Sequence, residues 1–233
     1  GFGGSPIIEL DGTLAGAANG LEITSGNSTV RGFVINCFDE GILIPTAGNK
    51  LIAGNYVGTN VTGTAALGNG IDGIDVISSD NNIIGGTTPA DRNIFSGNGD
   101  DGVNLDSCTG NIVQGNYIGT DVTGTVARPN ISDGVILELG ASGNTIGGTA
   151  SGAGNLISGN AAIGINLVDT GTDSNLVQGN LIGTDISGTL NLGTGSHGIS
   201  VDQADPYNNT IGGTVGGAAN VIAINGGHRR ALL

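Results

Sequence analysis

Seven times in this chain a Gly is followed by an apolar-x-apolar triplet, and the residue before that Gly is often acidic. Glu40, Asp72, Asp101, Asp133 and His197 occupy this place. Asp75, Asn104, Asp106, Glu138 and Asp202 lie a few residues further on, at positions that alternate with the apolar ones. If the segments stack, these side chains form an acidic ladder with about 5 Å between rungs. Carboxylates that close repel one another, and two chemistries relieve them. A shared hard cation such as Ca²⁺ takes six to eight oxygen ligands, which makes Asp72, Asp75, Asp101, Asn104, Asp106 and Asp133 the candidate ligands for a cation or a glycan. Alternatively, a carboxyl with a raised pKa acts as acid or base on a glycosidic bond, and Asp101, Asp133 and His197 are the catalytic candidates. A structural reading stands beside both, because Asp-Gly is a favoured turn dipeptide and outward acids keep a rod in solution.

The elements that must position these residues follow from the period. The seven glycines are Gly20, Gly41, Gly73, Gly102, Gly134, Gly164 and Gly198, at steps of 21, 32, 29, 32, 30 and 34 residues. After each comes a second short apolar segment (Val30, Ile52, Ile84, Val113, Ile146, Val177, Ile211). A third then follows (Ile35, Val57, Phe95, Ile118, Ile157, Ile182, Ile222). Strands this short, broken by Gly, Asn and Asp, do not build a sandwich. They suit a coil in which each strand stacks on its equivalent one turn away and no coil needs its own core. The predicted fold is therefore an all-β, right-handed parallel β-helix of about seven coils, three short strands per coil, in one domain spanning 1–233. Residues 1–19 read as an irregular first half-coil, 20–225 as regular coils and 226–233 as an irregular end.

Asn recurs in two columns. Asn82, Asn111, Asn144, Asn175 and Asn209 stand four places before a Gly of the second segment, with Ser28 and Lys50 in the equivalent places of the first two coils. Asn55, Asn93, Asn116, Asn155, Asn180 and Asn220 open the third segment. Asn tolerates left-handed backbone, and its amide both donates and accepts, so stacked copies can bond from coil to coil. These columns are predicted to be structural ladders. A longer period overlies the short one. A long turn, Gly58-Thr59-Asn60-Val61-Thr62-Gly63-Thr64, returns at Gly119 and Gly183, while the intervening coils carry Gly85-Gly86-Thr87 and its copies at Gly147 and Gly212. The unit of duplication is two coils, so coils alternate in pairs.

These alternating Asn-x-Ile-Gly-Gly-Thr and Gly-Asn-x-Ile-Gly-Thr-Asp-x-Thr-Gly-Thr units resemble those of bacterial right-handed parallel β-helix repeat proteins, large secreted or surface-anchored chains. The resemblance covers about Pro6 to Asn225 and implies an extracellular or cell-surface location, with flanking sequence upstream. It departs at Gly227-His228-Arg229-Arg230, where an eighth triplet would start. No capping segment is legible at either end, which predicts end-to-end or flanking-domain contacts.

Composition narrows the partners. Of 233 residues 47 are Gly, and Trp and Met are absent, which excludes a bulky aromatic core. The net charge of −14, with six Lys and Arg in all, leaves no basic stripe for nucleic acid. No apolar run is long enough to span a bilayer. Cys37 and Cys108 match no zinc spacing and are expected as free thiols. Asp100-Asp101 and His197-Gly198 look like fragments of polygalacturonase motifs, but they lie three coils apart, roughly 14 Å, and the other elements of that family are missing. No cofactor is implied beyond Ca²⁺. The favoured function is a non-catalytic structural or adhesive repeat domain that binds polysaccharide or Ca²⁺ on its acidic face. The rival is a polysaccharide-active enzyme of lyase, glycoside hydrolase or epimerase type.

Overall fold

The computed structural model describes residues 5–201, 207–223, 225 and 226. Asp202 and the irregular end from Gly227 to Leu233 lie outside the described residues. The chain winds as a parallel β-helix of three sheets with seven, seven and eight strands. Every strand pairs in parallel with its equivalent one coil away. The first sheet runs from Leu21–Glu22 through Ile74–Ile77, Val103–Asp106 and Val135–Glu138 to Ile199–Val201. The second runs from Thr29–Arg31 to Thr210–Ile211. The third opens with Ile8–Asp11, which pairs with Phe33–Asn36 ahead of the first full coil, and closes with Val221–Ile222.

Register places like on like. Ile42, Ile74, Val103, Val135 and Ile165 form one inward column of the first sheet, and Ile44, Val76, Leu105, Leu137 and Leu167 form the next. Every member of both columns is fully buried. Ile52, Ile84, Val113 and Ile146 face them from the second sheet, and Val57, Phe95, Ile118 and Ile157 from the third. Each buried aliphatic side chain contributes about 1.5 to 3 kcal/mol, and the columns make that contribution continuous along the axis. The Gly opening each first-sheet strand is required by close approach. A Cβ at Gly102 would sit 2.6 Å from Ile118 Cγ2 and 2.7 Å from the carbonyl oxygen of Gly134.

An Asn ladder lines each corner between sheets. Asn82 Nδ2 donates to Asn111 Oδ1 at 2.8 Å, and that oxygen also accepts the backbone N–H of Asn82. The same pair of bonds links Asn111 to Asn144 and, at the second corner, Asn55 to Asn93, Asn116, Asn155, Asn180 and Asn220 in turn. Asn144 bonds Asn175 in the same way, and Asn175 donates its backbone N–H to Asn209 Oδ1. A third ladder, absent from the columns read above, occupies the remaining corner: Asn69, Asn98, Asn130 and Asn160, with Nδ2 to Oδ1 distances of 2.9, 3.0 and 2.9 Å. In a core this poor in volume, the amides satisfy the backbone groups that turns leave unpaired. Lys50 takes an Asn place, fully buried, with Nζ donating to the Thr46 carbonyl at 2.6 Å.

The two-coil period has a physical counterpart. The long turns are closed by bridges at Thr59–Ala66, Thr120–Ala127 and Thr184–Asn191. They bond to one another across two coils, Val122 N–H to the Gly63 carbonyl and Ile186 N–H to that of Gly124. They cover an outward apolar stripe on the third sheet formed by Val34, Tyr56, Ile94, Tyr117 and Leu156. Tyr56 and Tyr117 thus serve packing. Cys37 and Cys108 are free thiols.

Candidate functional site: the acidic face of the first sheet

The residues preceding each first-sheet Gly do stack, and they do so by bonding. The backbone N–H of Asp72 donates to Glu40 Oε2 at 3.0 Å and that of Asp101 to Asp72 Oδ1 at 2.8 Å. The N–H of Asp133 donates to Asp101 Oδ1 at 2.6 Å, and that of Ile163 to Asp133 Oδ1 at 2.8 Å. Polarity is opposite to that of the Asn ladders. There a side-chain oxygen reaches back to the preceding coil, whereas here it reaches forward. Asp72, Asp101 and Asp133 are 4, 6 and 4% exposed, so they are rungs of the wall and not a solvated fringe.

Outside this column the first-sheet strands present a second layer. Register aligns Asp75 with Asn104 and then Ile136, and aligns Ile77 with Asp106 and Glu138. Asn104 Nδ2 lies 3.5 Å from Asp72 Oδ2 and 3.3 Å from Glu138 Oε1, bridging the two acidic columns. Asn166 Nδ2 donates to Asp133 Oδ2 at 2.8 Å. Carboxylate oxygens of Glu40, Asp72 and Asp75 come within 4.8 Å of one another, and so do those of Asp72, Asp100 and Asp101. Four side-chain oxygens here, on Asp75, Asn104, Asp106 and Asn166, are buried with no hydrogen-bond partner. All four are acceptors. Buried acceptors without donors cost roughly 1 to 3 kcal/mol each, and the group that would relieve them carries positive charge or O–H.

Electrostatics agree with the geometry. Burial, with Asp101, Glu40 and Asp75 as like-charged neighbours, pushes Asp72 up to about 8. Burial also drives Asp75 and Asp101 to about 7, with further repulsion from Glu40 and Asp106 on the former and Asp100 and Asp133 on the latter. Glu40, Asp133 and Glu138 are raised for the same first reason, loss of hydration. No Lys or Arg forms an ion pair with any of these groups among the described residues; the one ion pair there is Arg31–Asp91 on another face.

The structure thus brings together Asp72, Asp75, Asp101, Asn104 and Asp106, with Glu40, Asp100 and Glu138 as further oxygens, and Asp133 one rung on. His197 is not part of the group. It stands two coils beyond Asp133, about 10 Å by the stacking distance, is exposed, and bonds Ser196 Oγ through Nδ1. Asp101 and Asp133 each use one oxygen on the next coil's backbone. Asn166, which closes the cluster, was legible as an outward strand position but carries no charge to mark it.

Fold and face together define an Asn-laddered parallel β-solenoid with an acidic, donor-poor outer column. No protein-family model and no curated protein matches the chain. No helix among the described residues is long and apolar enough to cross a membrane.

Proposed function

We propose that the chain is a non-catalytic, extracellular or cell-surface repeat domain of the bacterial β-helix type, whose acidic first-sheet face takes up a hard cation such as Ca²⁺ and through it engages a surface polysaccharide. The observation carrying this reading is the set of four buried, unpartnered oxygens on Asp75, Asn104, Asp106 and Asn166, beside carboxylate triads whose oxygens lie within 4.8 Å of one another. Oxygen-only ligands at such spacing suit Ca²⁺ better than a transition metal, because the latter prefers imidazole or thiolate.

A Ca²⁺ titration of the chelator-treated protein followed by calorimetry tests it. Millimolar Ca²⁺ should raise the melting temperature at pH 7.5, and the Asp72→Asn/Asp75→Asn pair should remove the response while leaving the fold intact. An unchanged melting temperature for the unmodified protein sinks the reading. The enzymatic alternative draws on the placement of the Asp101 and Asp133 carboxyls on adjacent coils, where burial raises both toward the range of a general acid. Cleavage of a uronate polymer that is lost on Asp101→Asn would establish that alternative.

A further inference from the structure

A second site lies on a different sheet, where the chain breaks its own repeat. Between the Gly-Gly-Thr of alternate coils and the next ladder Asn, the chain reads Thr88-Pro89-Ala90-Asp91-Arg92. The equivalent segments read Ala150-Ser151-Gly152-Ala153-Gly154 and Val215-Gly216-Gly217-Ala218-Ala219. Small residues suffice for the turn. Pro, Asp and Arg at one copy alone are therefore not demanded by the coil.

These departures build a cavity of about 500 Å³, lined chiefly by Tyr56, Thr88, Pro89, Arg92, Ile94 and Val122. Its floor is apolar and aromatic, and its charge is a single guanidinium. Arg92 lies over the Tyr117 ring with its Cζ 4.0 Å from the centroid, and its Nε donates to the Gly115 carbonyl at 3.3 Å. Those two contacts fix the plane of the guanidinium. Its two terminal nitrogens have no acceptor among the described residues. The adjacent Asp91 does not serve, because Arg31 Nη2 and Thr88 Oγ1 hold its two oxygens and Arg31 Nη1 reaches the Ala90 carbonyl. The pair thus anchors the segment and leaves Arg92 free to meet a ligand.

We propose that this pocket binds a carboxylate-bearing pyranose, the uronic acid unit of an acidic glycan. A planar fork with two open donor positions matches a carboxylate in bidentate fashion. The volume suits one or two sugar rings. The C–H faces of a pyranose pack on Pro89, Ala90 and Val122 at the pocket wall, beside the edge of Tyr56, and its hydroxyls meet the Thr88 hydroxyl. The site stands independently of any cation on the first sheet.

Titration of the full chain by saturation-transfer NMR and calorimetry, in EDTA so that no cation bridges sugar to the acidic face, decides the matter. The probes are a methyl uronide, the matching neutral methyl glycoside and acetate. The uronide should bind with a millimolar dissociation constant, and the neutral glycoside and acetate at least about tenfold more weakly. Arg92→Gln should weaken the uronide by at least about tenfold, and Ala90→Phe, which fills the pocket from its rim, should abolish binding. Circular dichroism confirms that each variant is folded. The proposal is overturned if the uronide fails to bind the unmodified chain, if Arg92→Gln binds it equally well, or if acetate competes as strongly as the sugar acid.

Discussion

The backbone N–H of Asp101 donates to Oδ1 of Asp72 at 2.8 Å, so a buried carboxylate of one coil holds the main chain of the next. This bond favours the charged form of Asp72, yet burial outweighs it and leaves the group at about 8.

A pH dependence follows with a definite sign. Asp72, Asp75 and Asp101 bind protons more tightly in the folded chain, near 7 to 8, than at the ordinary value of 3.8. Their contribution to stability is complete below about pH 4 and is lost as pH rises through 7 to 8. Asp185, held down at about 2 by the Leu190 N–H and the Ser187 hydroxyl, acts in the opposite sense only in acid. Thermal melts without divalent cation should therefore show a higher melting temperature at pH 5 than at pH 8.5. Asp72→Asn keeps the acceptor for Asp101 and removes a charge, so it should raise the value at pH 8.5 and flatten the profile. A profile that rises from pH 5 to 8.5 would contradict the assignment.

The ladders should be expensive to break. Asn116 Oδ1 accepts both the N–H and the Nδ2 of Asn93, while its own Nδ2 reaches the Ile84 carbonyl and Asn155 Oδ1. Asn116→Ala strands these groups in a dry corner, at about 2 to 4 kcal/mol. Urea denaturation should report that loss as a lower midpoint with an unchanged slope.

Two glycines at equivalent places in successive long turns should respond differently to the same substitution. Gly124 and Gly188 have φ of +67° and +75°. A Cβ at Gly124 would come within 2.9 Å of Leu156 Cδ2 and 3.0 Å of Tyr117 Cε2, whereas at Gly188 nothing lies within 4 Å. Gly188→Ala should cost about 1 kcal/mol, the backbone penalty alone. Gly124→Ala adds overpacking and should cost about 2 to 4 kcal/mol. Equal costs in chemical denaturation would mean that the turns do not pack on the third sheet as described.

Lys50 interrupts an Asn column, and loss of hydration lowers its pKa from 10.5. Its backbone N–H already donates to Asn82 Oδ1 at 3.0 Å, as each ladder Asn does to the next. Lys50→Asn adds the missing Nδ2 bond and relieves a desolvated ammonium, so it should stabilise the chain by about 1 kcal/mol. A lower melting temperature would show instead that the Thr46 and Ser79 contacts of Nζ matter more.

The solenoid was legible in the residues because its core is a one-dimensional repeat. Ile42, Ile74, Val103 and Val135 recur with the period of one coil, and burial of each demands an apolar residue at that place. The acidic positions Asp72, Asp101 and Asp133 were legible for the same reason, as was the alternation of Asp75 and Asp106 with the core. Winding alone decided the rest. The ladder Asn residues are buried at all three corners, yet the column of Asn69, Asn98, Asn130 and Asn160, though four places before a Gly throughout, is flanked by Cys37 and Thr194 at its two ends. Linear spacing did not reveal that Asp72 and Asp101 spend an oxygen on the next coil, nor that His197 stands too far along the axis to join them. Nor could it bring Arg31 to Asp91 across 60 residues and so release Arg92 toward a cavity. A periodic pattern specifies which side of the wall a residue takes, while hydrogen-bond partners and cavities depend on how neighbouring coils meet in three dimensions.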